Sequence, residues 1–176
     1  MIRIEPATAH DLAAVHAAYA AGRRIQRAKQ TVVWPEFADH AILCEIAAGH
    51  LLCVVDGDSL AGIFSVAYED AAIWGAHERG AHIYLHRIAR APHYHERGLI
   101  DAVLTWAHAR CVALAREGLR MDTWASNDVL IAYYVRRGFR LVGEQQMSAD
   151  PRLLAHYHGI VLALLEQPCR HATAPP

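Results

Sequence analysis

Ile88-Ala89-Arg90-Ala91-Pro92-His93-Tyr94-His95-Glu96-Arg97-Gly98 carries an extended apolar segment into the start of a long helix. Upstream, His82 to Arg90 reads as a strand. Downstream, Leu99, Val103, Ala107, Cys111 and Leu114 recur on one face of a helix from Gly98 to about Glu117. A helix N-terminus fed by a strand presents unpaired backbone N–H groups and the positive end of the helix dipole, which together favour phosphate. Such a terminus contributes only about 0.3–1 kcal/mol to a surface anion. Taken alone, the stretch reads equally well as a capped turn.

On the C-terminal side, Leu119 to Ala125 is a strand, and Asn127 opens a helix over Asp128–Arg137 that carries Tyr134 and closes on Arg137-Gly138-Phe139. Phe139 to Met147 and Gly159 to Leu165 are the remaining strands. On the N-terminal side, Ile2-Arg3-Ile4-Glu5 alternates like a strand, and Asp11 is placed to cap a helix reaching Gln30. Thr31-Val32-Val33-Trp34-Pro35 breaks that helix, and a second follows from Pro35 to Ala48. Asp56-Gly57-Asp58 between two apolar runs signals a β-hairpin. Glu69 to Gly80 reads as a loop. The order is β-α-α-β-β-β-α-β-α-β-β, an α+β arrangement with helices on both faces of a sheet.

The chain has 176 residues, enough for one domain with a sizeable core. Its formal charge of −1 gives no general attraction to nucleic acid or to an anionic membrane, so neither is expected as a partner. The four cysteines, Cys44, Cys53, Cys111 and Cys169, lack CxxC spacing, and three of them lie in apolar patterns where thiols pack as small hydrophobes. No apolar run has the form of a secretion signal or the length of a membrane span, so a cytoplasmic location is expected. Among 13 histidines, His93-x-His95 and His156-x-His158 would share one side of a strand, but no cysteine or carboxylate joins them at ligand spacing. No metal is expected.

The passage from Pro92-His93-Tyr94 through Gly98, with Arg120 to Asn127, Tyr134 to Phe139 and Gly143-Glu144, resembles the GNAT superfamily of acyl-CoA-dependent N-acetyltransferases, including a little-characterised bacterial branch. The family's phosphate loop reads (Gln/Arg)-x-x-Gly-x-(Gly/Ala), and His95-Glu96-Arg97-Gly98-Leu99-Ile100 occupies it without a gap. Gly98 fits; His95 and Ile100 depart from the pattern. The resemblance implies an α/β/α fold with a mixed central sheet of six to seven strands over residues 1–166, followed by a disordered tail over 167–176. It implies acetyl-CoA as donor, held by the backbone of Ile88, Ala89 and Arg90 and by His95, Glu96, Arg97, Gly98, Leu99 and Ile100. Asn127 matches a residue that contacts the pantetheine arm, and Tyr134 the tyrosine whose hydroxyl sits near the thiol sulfur and is proposed to protonate the leaving thiolate.

The expected activity is transfer of an acetyl group to the amine of a small molecule. Many relatives carry a glutamate on the fourth strand, and this strand has none. His82, Tyr84 and His86 share a face by the period-two rule, and His86 is the first choice of base, with Glu69 and Asp70 in reserve. A histidine bonded within the sheet is the alternative reading. Arg23, Arg24, Arg27, Trp34, Glu36 and Trp74 are candidates to line the acceptor pocket, although basic helical clusters are commonly solvated surface. The runner-up function is a non-catalytic protein of the same fold that binds acyl-CoA or another ligand through a degenerate loop. Gly159–Leu165 could complete the sheet or pair with a second subunit, leaving monomer and homodimer both open.

Overall fold

A computed structural model describes residues 2–96, 98–149 and 155–169. The strands are β1 (Ile2–Pro6), β2 (Leu51–Asp56), β3 (Ser59–Ala67), β4 (His82–Arg90), β5 (Gly118–Trp124), β6 (Arg140–Gln146) and β7 (Val161–Pro168). The helices are α1 (Leu12–Ala28), α2 (Asp39–Ala47), α3 (Ala71–Trp74), α4 (Leu99–Ala113) and α5 (Asp128–Val135). The seven strands form one mixed sheet in the order β1-β2-β3-β4-β5-β7-β6, as expected for the α+β class. No helix among the described residues is long and apolar enough to cross a membrane.

The chain divides into two compact units: Met1–Val66 with Leu85–Trp106, and Ala67–Tyr84 with Ala107–Pro176. In the first, β1, β2 and β3 are consecutive antiparallel neighbours. The pairs Leu51↔Ser65 and Cys53↔Ile63 place these four side chains on one face. There they meet Val15, Ala18 and Tyr19 of α1 and Ile42 of α2 in a core that also holds Phe37 and Ala89. The opposite face carries Gly62 and Phe64, and Phe64 meets Trp106 of α4 edge-on at 5.3 Å. Helices therefore cover both faces of this part of the sheet.

Gly62 is required by close approach. A Cβ there would lie 2.6 Å from the carbonyl oxygen of Ala89 and 2.8 Å from Cδ1 of Leu99. Its bare backbone lets β4 and the first turn of α4 settle against β3, and Ala91 N–H donates to Ala61 O at 2.9 Å just beyond.

In the second unit β4 pairs in parallel with β5 over His82–Tyr84 and Gly118–Arg120. β5 and β6 flank β7 in antiparallel ladders. Buried Arg120 organises this unit. It donates to Glu166 at 2.9 Å, to His77 O at 2.7 Å and to the Tyr84 hydroxyl at 3.1 Å, and its guanidinium lies over Trp74 at 4.2 Å. His82 Nε2 approaches the same Glu166 carboxylate at 3.4 Å, and Arg140 reaches it at 2.6 Å. Burial alone would raise the Glu166 carboxyl, but hydrogen bonds from Arg140 and Arg120 outweigh it and hold the pKa low. Burial, reinforced by the Arg120 charge, lowers the pKa of His82.

Several boundaries differ from the sequence reading. α2 begins at Asp39 rather than Pro35, because the preceding segment is held extended against α1: Trp34 N–H donates to Gln26 Oε1 at 2.9 Å and Arg23 to Pro35 O at 3.3 Å. Asp11 joins Thr8 in a capping box before α1, its carboxylate accepting from the Thr8 N–H at 2.7 Å. The expected loop from Glu69 to Gly80 contains α3 and a single 3₁₀ turn, Gly75–His77. Its ends are tied by Glu78, whose carboxylate accepts from Asp70 N–H at 2.7 Å and from Gly80 N–H at 2.6 Å. α4 ends at Ala113, and Gly118 opens β5 instead of closing the helix. β7 runs to Pro168, so Gln167 and Pro168 belong to the last strand, not to a tail; residues 170–176 lie outside the described residues. Neither histidine pair sits in a strand: His93 and His95 lie in an irregular turn, and His156 in a 3₁₀ turn. Buried Cys53 and Cys111 are raised by burial to about 11 and about 12, which suits inert packing thiols.

Two outcomes follow from this packing. Gly62→Ala should lower unfolding stability by about 1–3 kcal/mol, since the opposing atom is a backbone carbonyl that cannot rotate away; an unchanged urea midpoint would show that β3 and β4 separate freely. Because its folded pKa is lowered, His82 contributes stability above its unfolded pKa of about 6.5 that is lost as pH falls below it. His82→Gln should therefore flatten the fall in urea midpoint between pH 7 and pH 5, and a slope equal to wild type would place the effect elsewhere.

Candidate functional site

The first unit holds the strand-to-helix passage as one continuous piece. In β4, Ile88 is half-buried, Ala89 is buried in the α1–α2 core and Arg90 is exposed. Ala91 to Tyr94 forms a tight turn closed by Tyr94 N–H donating to Ala91 O at 3.2 Å. The buried Tyr94 ring anchors it, and its hydroxyl donates to Asp56 at 3.2 Å. His95 and Glu96 follow as exposed residues without regular structure, and Arg97 lies outside the described residues.

Gly98 begins the helix. Its φ of +101° is a conformation that side chains with a Cβ rarely adopt, and its carbonyl accepts the first helical bond from Ala102 N–H at 2.9 Å. A Cβ at Gly98 would meet nothing within 4 Å, so the requirement for glycine comes from the backbone angle and not from crowding. Leu99 and Ile100 are buried, and Leu99 packs on Gly62. The large side chain at Ile100, a departure from the family pattern, is thus turned inward and leaves the first-turn backbone uncovered by its bulk. The N–H groups of this turn lack intrahelical partners by the geometry of any α-helix.

The second unit holds the other two candidates, at opposite ends of α5. Asn127 is the N-cap, its side chain accepting from Leu130 N–H at 3.2 Å. Tyr134 lies in the last turn, edge-on to Tyr133 at 5.4 Å and to Phe139 at 5.8 Å. Its pKa is raised, chiefly by burial and further by Tyr133, with Arg137 opposing. The phenol therefore keeps its proton well above neutral pH. Arg137 lies over the Tyr133 ring at 3.8 Å, which gives Tyr133 a packing role.

The candidates for the acceptor side divide. Arg24, Arg27 and Glu36 are exposed, whereas Arg23 is buried and bonded to the Pro35 carbonyl. Trp34 packs against Gly22 and Tyr19. Trp74 is fully buried beneath Arg120, a core position that removes it from any lining. His86 is half-buried in β4 within the first unit, while His82 and Tyr84 are buried in the Arg120–Glu166 network.

One residue missed by the sequence reading stands out. Arg87 has φ +48° in the middle of β4 and reaches Glu45 of α2 at 2.6 Å and Ser65 of β3 at 3.0 Å. An arginine in the middle of the strand was the available signal, but its partners come from distant segments.

Comparison with known proteins agrees with this architecture. A family model described as the acetyltransferase (GNAT) family matches residues 19–139. The chain is 29% identical over 108 residues to YesJ of Bacillus subtilis (strain 168), an uncharacterized N-acetyltransferase, covering 59% of this chain and 60% of that protein's length. A GNAT-family acetyltransferase from Listeria monocytogenes 4b F2365 superposes with a TM-score of 0.73 at 19% identity, covering 95% of this chain and 94% of that one. YncA of Salmonella typhimurium, solved with acetyl-CoA, gives 0.63 at 13% identity, covering 100% and 98%. With a family match over more than half of its length, the chain belongs to the acetyltransferase (GNAT) family.

Proposed function

We propose that this protein moves an acetyl group from acetyl-CoA to the amine of a small-molecule acceptor by direct transfer. The observation that carries the reading is the β4-to-α4 passage, where Gly98 takes a glycine conformation at the start of α4 and the Leu99 and Ile100 side chains are buried. That end suits a pyrophosphate: backbone N–H groups at Gly98, Leu99 and Ile100 donate, the helix dipole adds positive potential, and exposed His95 contributes charge when protonated. A structural neighbour solved with acetyl-CoA supports the choice of donor.

In this reading the backbone of Ile88, Ala89 and Arg90 pairs with the pantetheine arm as an added strand would. The N–H of Ile88 or Arg90 donates to the thioester carbonyl oxygen, where negative charge develops during attack. Asn127 commits its side-chain oxygen to capping α5, so its amide N–H is the contact assigned to the pantetheine. The neutral amine attacks the carbonyl carbon, the C–N bond forms and the C–S bond breaks. The nitrogen loses a proton to His86 through water, and the sulfur departs as a thiolate that takes its proton from solvent. Since burial raises the Tyr134 pKa, outright transfer of its proton to a thiolate, whose acid lies near about 8.5 for an ordinary thiol, is uphill. Tyr134 is better suited to stabilise the leaving sulfur by donating a hydrogen bond.

Calorimetry with acetyl-CoA on wild type and Gly98→Val tests the donor site. A side chain forced into left-handed backbone costs about 1–2 kcal/mol, so affinity should fall roughly tenfold; equal affinity would remove the loop from the site. No binding to either protein would favour the non-catalytic ligand-binding reading. Tyr134→Phe, assayed by acetyl-CoA consumption across a panel of amines, should lower kcat about 100-fold while the Kd for acetyl-CoA stays near wild type. Unaltered turnover would exclude Tyr134 from the chemistry.

A further inference from the structure

Three non-glycine residues among those described have positive φ: Gln30, Arg87 and Ala115. Gln30 and Ala115 follow the ends of α1 and α4, where left-handed residues commonly terminate helices. Arg87 has no such explanation. It sits within β4, one residue before the Ile88–Arg90 backbone, at φ +48°. A bulky residue in that region is unfavourable unless its surroundings enforce it.

The enforcing contacts are present. One Arg87 Nη donates to Glu45 Oε1 at 2.6 Å and to Ser65 Oγ at 3.0 Å, and Ser65 Oγ donates to Glu45 Oε2 at 3.0 Å. Both oxygens of the carboxylate and the serine hydroxyl are thereby arranged in one direction around the guanidinium. The Phe37 ring lies against the same group, 5.3 Å from centroid to Cζ. Arg87 and Glu45 are 17% and 28% exposed, so the pair is substantially withdrawn from water, where a charge-assisted bond is stronger than at the surface. α2 and β3 thus grip β4 at the one residue whose backbone departs from strand geometry.

We propose that Glu45 and Ser65 are positioning residues that act through Arg87: by holding it in the left-handed conformation, they aim the backbone amides of Ile88 and Arg90 at the acyl carbonyl of the donor. This rests on the donor-site reading above and adds the device that sets its geometry. Neither residue touches the donor. Their effect is on the acyl group, because the amides next to Arg87 serve its carbonyl, whereas the nucleotide end is assigned to the α4 N-terminus.

The test compares acetyl-CoA with CoA, which lacks the acyl carbonyl, by calorimetry on the full chain. Glu45→Gln, Ser65→Ala and Arg87→Gly are measured beside wild type, with thermal melts of each. Glu45→Gln should weaken acetyl-CoA binding about tenfold while CoA binding changes less than threefold, so that the ratio of the two affinities shifts. Ser65→Ala should shift the ratio in the same direction by less. Arg87→Gly in the Glu45→Gln background should add nothing further, because glycine tolerates the left-handed angle and the grip is already broken. Variants that melt lower yet keep the wild-type ratio would overturn the proposal and leave the cluster as packing alone. A wild type that binds neither ligand would instead overturn the donor-site reading, and the proposal with it.

Discussion

The first unit depends on one close approach between backbones. Gly62 offers no side chain, so the Ala89 carbonyl and the Leu99 side chain can both come against it. β3 thereby sets the position of the end of β4 and of the first turn of α4 together. Between those two fixed points lie the turn at Ala91–Tyr94 and the left-handed Gly98, so the contact sets where the proposed phosphate surface begins and ends. A helix N-terminus is common in proteins. One whose approach strand and first turn are fixed by the same glycine has a defined place relative to its neighbouring backbone, which is what recognition of an extended ligand requires.

The second unit is organised differently, around charge instead of close packing of bare backbone. Arg120 is buried but satisfied on every side, with Glu166 opposite it on β7, carbonyl and hydroxyl acceptors from β4 and the α3 segment, and an aromatic face in Trp74. Buried ion pairs stabilise poorly when incomplete, and removing one partner leaves an uncompensated charge. The completeness of this network explains how Arg120 and Glu166 can face each other within the sheet, largely withdrawn from water. Burial, with the Arg120 cation beside it, lowers the pKa of His82 in the same network.

Much of this architecture was legible from local pattern. The hairpin at Asp56-Gly57-Asp58, the bounds of β4 and the cap at Asn127 are features of a few adjacent residues, and propensity and turn chemistry decide them locally. What could not be read depended on residues far apart. Pro35 is compatible with a helix start, yet Gln26 and Gly22 on α1 hold the segment around Trp34 extended. Trp74 looked like a candidate pocket wall because nothing nearby shows that Arg120 covers it. Gly98 fits the loop pattern in sequence, but the reason for glycine, a backbone angle of +101° with open space around it, belongs to the folded chain. Arg87 escaped notice because its meaning lies in Glu45 and Ser65, 42 and 22 residues away.

The segment between Asp70 and Gly80 has a property that belongs to its ends. The Glu78 carboxylate accepts from Asp70 N–H and Gly80 N–H at once, closing the segment on itself, and Arg120 holds it from below through His77 and Trp74. Such a piece behaves as a cassette: its clasp and its socket are separate from the residues displayed between them. Ala71 and Ala76 are exposed, and their side chains take part in neither fastening. A protein built this way can be diversified at one surface by replacing a few small side chains while the scaffold beneath stays the same.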